Sequence, residues 1–274
     1  MNQKQDKQAL RVGIAGLGTV GKTIASAIDA GIDGLELAAV SVRDAAKASA
    51  WMNELSKPVH IVSFDEMPQF ADVVVECAPS HLLPKIAEPM LRAGKTVVPL
   101  SVGALLDHMD LIDIARENGG QISVPTGALL GLDAVTAAAR GNIKSARMIT
   151  RKPVTGLLGA PFLEENGIRI EDIKAPMRIF CGTPRDAAKG FPANLNVAVA
   201  LSLAGIGPDA TTLEIWADPA LTRNTHTIAI DSDSASFTMT IENIPSANPK
   251  TGLITALSVI ALLEKMRAPL RVGT

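Results

Sequence analysis

Residues 10–23 read LRVGIAGLGTVGKT, and this stretch decides the fold. Leu10–Ala15 is a short apolar run, Gly16-Leu17-Gly18 breaks it, and a helical pattern follows from Lys22 to Ala30. A strand that passes through a glycine loop into a helix aims unsatisfied N–H groups and the positive end of the helix dipole at an anion. The loop fits two patterns. Gly16-x-Gly18-x-x-Gly21 is the dinucleotide fingerprint: one glycine for the tight turn, one so that a pyrophosphate can approach the backbone, one for close helix–sheet packing. The same residues, ending in Lys22-Thr23, also spell G-x-x-x-x-G-K-[ST]. In that P-loop reading Lys22 reaches the β/γ-phosphates and Thr23 binds Mg²⁺.

The neighbouring segments favour the dinucleotide. Leu35–Val42 (LELAAVSV) suits a second strand buried on both faces. A P-loop also wants an apolar strand ending in a metal-holding Asp, and Glu76 after Val73–Val75 is an imperfect stand-in. The end of the second strand normally selects the cofactor. An acid there binds the ribose 2′-OH of NAD, and an Arg accommodates the 2′-phosphate of NADP. The strand runs into Arg43-Asp44, so Arg43 favours NADP, Asp44 favours NAD, and a solvated Arg–Asp turn is the plain alternative. The cofactor-binding set from this half is Gly16, Gly18, Thr19, Val20, Gly21, Arg43 and Ala78.

Further along, Ala45–Leu55, Leu82–Ala93 and Met109–Asn118 have helical patterns. His60–Ser63, Ala71–Cys77, Thr96–Leu100 and Gln121–Val124 read as strands. Strands alternating with helices indicate βαβ units and a parallel sheet. After Pro125 the texture changes. Ala146–Lys152, Leu213–Ala217, Thr225–Ile230 and Ala235–Ile241 alternate partially, as in a mixed or antiparallel sheet with one face on helices. Pro192–Leu203 is an intervening helix, and Thr251–Arg267 is a last one, capped by Thr251 or Asn248. The expected fold is α/β: a Rossmann-type doubly wound parallel sheet with a second, smaller α+β domain. The dinucleotide-binding domain takes residues 1–125 plus 248–274, with a returning C-terminal helix, and a substrate and oligomerisation domain takes 126–247.

Composition narrows the function. The 274 residues carry 26 basic and 28 acidic side chains, a net charge of −2, with no basic block, so no nucleic-acid partner is expected. Two cysteines, Cys77 and Cys181, exclude a disulfide framework and a Cys-rich zinc site. Tyrosine is absent, which excludes a Tyr-x-x-x-Lys oxidoreductase dyad. No segment has the roughly 20 apolar residues of a membrane span, and the N-terminus lacks a signal-peptide core, so a cytoplasmic protein is expected. Ligands of open α/β sheets bind beyond the carboxyl ends of the strands, which makes His81 and Ser101 positional candidates.

Eight segments carry a resemblance that spans residues 10–270: VGIAGLGTVGKTIA, VVVECAPSH, GKTVVPLSVGALLD, VPTGALLGLDAV, TRKP…GAPF, FPANLNVAVALSLAGIG, RNTHTI and NPKTG. Together they resemble the bacterial and archaeal L-aspartate dehydrogenases. The resemblance implies a homodimer or larger homo-oligomer that uses NAD or NADP to convert L-aspartate to iminoaspartate, which hydrolyses to oxaloacetate and ammonia. In some organisms the imine feeds pyridine-nucleotide synthesis. It also implies that His226 is the active-site histidine and that Ala128 and Asn196 contact the cofactor. Thr126 departs from the Ser usual in similar sequences. A histidine suits the chemistry, since a neutral imidazole can accept protons near pH 7. Two substrate carboxylates call for converging cations, for which Arg151, Lys152 and Lys250 are candidates. Competing readings are a dehydrogenase of another small amino or dicarboxylic acid, a P-loop phosphohydrolase and a non-catalytic dinucleotide sensor.

Overall fold

The computed structural model describes residues 9–192, 195–246 and 252–274. The chain divides into two compact units, Met1–Pro125 with Ala256–Val272, and Thr126–Thr255 with Gly273–Thr274.

The first unit contains β1 (Leu10–Ala15), α1 (Thr19–Asp29), β2 (Leu35–Ser41), α2 (Ala45–Met52), β3 (His60–Ile61), α3 (Met67–Phe70), β4 (Val73–Glu76), α4 (Leu83–Arg92), β5 (Thr96–Pro99), α5 (Asp110–Asn118) and β6 (Gln121–Ile122). The strands form one six-stranded sheet in the order β3-β2-β1-β4-β5-β6. Every pairing is parallel. This is the doubly wound Rossmann order, and the chain changes direction across the sheet between β1 and β4. Two layers cover it. Val12, Ile14, Val73, Val75 and Val98 form one core with Ile24, Ala25 and Ile28 of α1. On the other side Gly13 leaves room for Met67 and Ala71. The helix Ile254–Arg267 adds Ala256, Val259 and Leu263 to the α1 side of this core, so the end of the chain does return to the first sheet.

In the second unit the elements are α6 (Leu132–Ala138), β7 (Ile143–Lys152), α7 (Pro161–Glu165), β8 (Met177–Gly182), α8 (Pro184–Gly190), α9 (Asn196–Ala204), β9 (Thr212–Ala217), β10 (Asn224–Ser232) and β11 (Ser236–Asn243), followed by the returning helix, α10. Five strands pair as β11-β10-β7-β9-β8, with β7–β9 parallel and the rest antiparallel. One face is buried: Ala146, Met148, Thr150 and Lys152 on β7 line up with His226, Ile228 and Ile230 on β10.

Several expectations need correction, among them the helix read over Pro192–Leu203, which runs Asn196–Ala204. Helix α1 starts at Thr19, not Lys22, because Gly21 lies inside its first turn, where a side chain would strike the Gly16 carbonyl. Strand β8 was hidden because only Ile179 and Phe180 of it are buried, giving no alternation to read. Helix α2 ends at Met52 rather than Leu55. The expected caps Asn248 and Thr251 of the last helix lie outside the described residues, as do Ala193 and Asn194 of the FPANLNV segment.

Candidate active site

The glycine loop sits at the switch point between β1 and β4. Gly16 has φ +101°, and a Cβ there would lie 2.7 Å from the Cys77 carbonyl oxygen and 3.1 Å from the Ala78 nitrogen. Only glycine tolerates both demands. Gly16 N–H donates to the Ser41 carbonyl at 2.8 Å, which ties the loop to the end of β2. By contrast, a Cβ on Gly18 would meet nothing within 4 Å. Gly18 is the N-cap of α1 and supplies no side-chain cap, so the amides of Thr19, Val20 and Gly21 open the helix toward that space. The three glycines thus have the three separate steric reasons that a dinucleotide cradle requires.

The P-loop chemistry is absent from the same residues. Lys22 Nζ lies 5.5 Å from the Trp51 ring centroid, a cation–π contact. Thr23 Oγ1 donates to the Thr19 carbonyl at 2.9 Å within its own helix. Glu76 is fully buried and holds the loops instead of a metal. Its Oε1 accepts from Ala78 N–H (2.9 Å) and Ser101 Oγ–H (3.1 Å), and its Oε2 from Leu100 N–H (3.2 Å) and Ser101 N–H (2.8 Å). Burial pushes this carboxyl above its ordinary range, against the pull of those donors. Ser101 is therefore a loop anchor, and His81 is exposed in the short 3₁₀ turn Ser80–Leu82.

At the end of β2, Asp44 caps α2 by accepting from Lys47 N–H at 3.1 Å. Arg43 is exposed and makes no hydrogen bond or ion pair among the described residues.

In the second unit β7 and β10 bring three polar side chains onto the buried face. His226 lies opposite Thr150, and Lys152 follows two residues on, so all three share one side of the sheet. Thr150 is 2% exposed, Lys152 5% and His226 3%. Thr150 Oγ1 lies 3.2 Å from His226 Nδ1 and fixes the ring, while Nε2 has no hydrogen bond among the described residues. Burial, helped by the charge of Lys152, pushes His226 down to about 3. This corrects the expectation of an imidazole that titrates near pH 7: the ring stays neutral through the physiological range. Burial also lowers Lys152, to about 8.

Two residues along β11 from Ile241, the partner of His226, stands Asn243, on the same face. Its Nδ2 donates to the Ala128 carbonyl at 2.9 Å and holds the PTGALLG turn, while its buried Oδ1 has no partner among the described residues. Sequence reasoning missed Asn243. Arg151 points to the opposite side of β7, over the Trp216 ring at 5.2 Å and 3.9 Å from Asp218. Thr126 is exposed, and Asn196 is exposed at the start of α9. Lys250 lies outside the described residues. No group of three or more His, Cys, Asp or Glu side chains among the described residues is placed to hold a metal ion. No helix among them is long and apolar enough to cross a membrane.

The chain is similar to known proteins. Residues 133–266 match the family model described as aspartate dehydrogenase, C-terminal, and residues 16–125 match homoserine dehydrogenase, NAD binding domain. An L-aspartate dehydrogenase of Bradyrhizobium diazoefficiens is 60% identical over 274 residues, all of this chain and 98% of that protein. The chain belongs to the L-aspartate dehydrogenase family. Another member, L-aspartate dehydrogenase 3 of Bordetella bronchiseptica, is 56% identical over 98% of this chain and 99% of its own. The family fold is also seen in the crystal structure of aspartate dehydrogenase from Thermotoga maritima. It matches with a TM-score of 0.75 at 23% identity, over 97% of this chain and 100% of that one.

Proposed function

We propose that this chain catalyses the reversible, NAD(P)-dependent oxidative deamination of L-aspartate, through iminoaspartate, to oxaloacetate and ammonia. The observation that carries the reading is the 60% identity along the whole chain to an L-aspartate dehydrogenase. The sites agree with it. The Gly16–Gly21 loop and the open N-terminus of α1 form the pyrophosphate cradle, with Ala78 beside it and Ala128 and Asn196 as further cofactor contacts. When bound, the nicotinamide supplies the hydride acceptor. The chain's own residues bind the amino acid, shield it from water and handle its protons. His226, neutral and oriented by Thr150, offers Nε2 as a hydrogen-bonding group to the substrate. The domain roles follow: residues 1–125 with the returning helix hold the dinucleotide, and the second domain holds substrate and oligomer contacts. A homo-oligomer is part of this reading.

The free guanidinium of Arg43 supports use of NADP beside NAD, because a charge-assisted contact to the 2′-phosphate contributes about 1.5–3 kcal/mol. The test follows absorbance at the reduced-nicotinamide band. A panel of amino acids is offered with each cofactor, and oxaloacetate plus ammonia in reverse. Aspartate should be the preferred substrate, and Arg43→Ala should weaken NADP roughly tenfold or more while NAD changes little. Turnover with another amino or dicarboxylic acid but not aspartate would refute the substrate. Equal losses for both cofactors would refute the role of Arg43.

A further inference from the structure

We infer that Lys152 is the base that takes a proton from the substrate's α-ammonium group before oxidation. This rests on the aspartate dehydrogenase reading and names the group it leaves open. Hydride can leave Cα only if the nitrogen lone pair is free to form the C=N bond. The ammonium must therefore pass one proton to a neutral acceptor: R–NH₃⁺ and Lys–NH₂ become R–NH₂ and Lys–NH₃⁺. The electron pair of the broken N–H bond stays on the substrate nitrogen and then becomes the new π bond. The hydride goes to the oxidised nicotinamide cofactor.

Placement makes Lys152 the acceptor. It is the last residue of the central strand β7, on the face that carries Thr150 and His226. The turn Val154–Gly156 lies over it: a Cβ on Gly156 would be 3.9 Å from Lys152 Cβ and 3.8 Å from Asn224 Oδ1. Among the described residues the neighbouring strands carry the following groups. On β10 the titratable neighbour is His226. On β9 the register partner is Ala217, and Asp218 beyond it faces Arg151 at 3.9 Å. On β7 itself Arg151 lies on the opposite side of the sheet.

Proton affinity separates the two buried bases. His226 at about 3 is too weak a base to take a proton from an ammonium. Lys152 at about 8 is partly neutral at pH 7–8 and matched to an amine donor. The charge that Lys152 gains on taking the proton also opposes protonation of His226 on the neighbouring strand.

The test uses the full chain with Lys152→Met and Lys152→Arg, each first checked by circular dichroism and by binding of reduced cofactor. NMR of ¹³Cε-labelled lysine, with the signal assigned by its loss in Lys152→Met, should show a lysine titrating near 8 rather than near the ordinary 10.4 or so. Only four histidines are present, so His226 can be followed too. It should stay neutral across pH 5–9 in the wild type and titrate at higher pH in Lys152→Met. In aspartate oxidation kcat/KM should fall on the acid side of the lysine's own titration. Both variants should lose roughly 10²–10⁴ in kcat, because arginine keeps the charge but cannot release the proton. Added ethylamine should restore part of the Lys152→Met activity. Retention of kcat by Lys152→Arg, with only KM raised in Lys152→Met, would make Lys152 a carboxylate anchor and overturn the inference. So would a lysine titrating at its ordinary value. A wild-type protein that oxidises no aspartate overturns the activity reading as well, whereas undiminished kcat in Lys152→Met overturns the lysine alone.

Discussion

Replacing Glu76 by Gln tests how the cofactor edge of the first sheet is held. The change keeps shape and volume but turns one acceptor oxygen into a donor. If the amide nitrogen takes the Oε2 position it faces two N–H donors, those of Leu100 and Ser101. If it takes the Oε1 position it faces Ala78 N–H and the Ser101 hydroxyl, which can rotate and accept. The second orientation is cheaper and leaves one buried N–H of Ala78 without an acceptor. Such a group costs about 1–3 kcal/mol. Relief from burying a charge offsets part of that. At about 2–4 °C per kcal/mol for a chain of this size, Tm should fall by roughly 2–12 °C. The sign with pH follows from the raised carboxyl. Stability from the neutral form is present below the unfolded value near 4.3 or so and is lost as pH rises through the folded value. Glu76→Gln should remove that component. The assay is thermal unfolding from pH 4 to 8, paired with fluorescence titration of reduced cofactor, whose affinity should weaken as the two loops loosen. An unchanged Tm and unchanged affinity would refute the claim that Glu76 braces these loops.

Lys22→Ala should remove only the contact with Trp51, costing about 0.5–1 kcal/mol, and leave dinucleotide affinity within a few-fold; a tenfold loss in a cofactor titration would restore a phosphate-binding lysine. Gly21→Ala forces a methyl against the Gly16 carbonyl, so stability should drop by about 1–3 kcal/mol and cofactor binding should be largely lost, with wild-type affinity as the contrary result. Asp72 accepts from Arg11 Nη2 at 2.8 Å and Lys95 Nζ at 2.7 Å, and the Arg11 hydrogen bond above all holds its carboxyl far below the usual range. Its stabilisation is present above about pH 4 and lost as pH falls further. Asp72→Asn should therefore lower Tm at pH 7 by a deficit that shrinks steadily as pH falls below about 4, and a deficit of unchanged size at pH 2 would contradict this.

The parts legible in the sequence are those with a local cause. Each glycine of the loop answers a steric demand made within a few residues or by the adjacent strand. The valine-rich run Val73–Val75 reads as part of a strand because it is one, and all three valines are buried. What stayed hidden depends on distant partners. Glu76 looks like the last residue of a strand, yet its carboxylate serves Ser101, 25 residues on. Asn243 looks like a turn residue and holds the Ala128 carbonyl, 115 residues earlier. Between Arg151 and Lys152 a signal did exist. In ARMITRK the alternation that buries Ala146 and Met148 also buries Thr150 and Lys152 and turns Arg151 outward. The proton affinity of His226 had no local signal, since it follows from burial and from a lysine on another strand.

The buried polar groups of the two units differ in how completely they are used. In the first, both oxygens of Glu76 are occupied by four donors from the loops beside it, so the group is consumed by architecture. In the second, His226 has one ring nitrogen engaged by Thr150, and Asn243 has its amide nitrogen engaged by Ala128. Asn243 Oδ1 is buried with no partner among the described residues, and His226 Nε2, which is not fully buried, makes no hydrogen bond there. A buried polar atom left without a partner costs about 1–3 kcal/mol, and native proteins keep few of them. One such atom, on the sheet face that carries His226 and Lys152, supports the proposal that a polar guest completes the hydrogen bonds there. An amino acid with a donor nitrogen and two acceptor carboxylates is such a guest. The first unit, with its saturated carboxylate and open helix end, suits a phosphate instead.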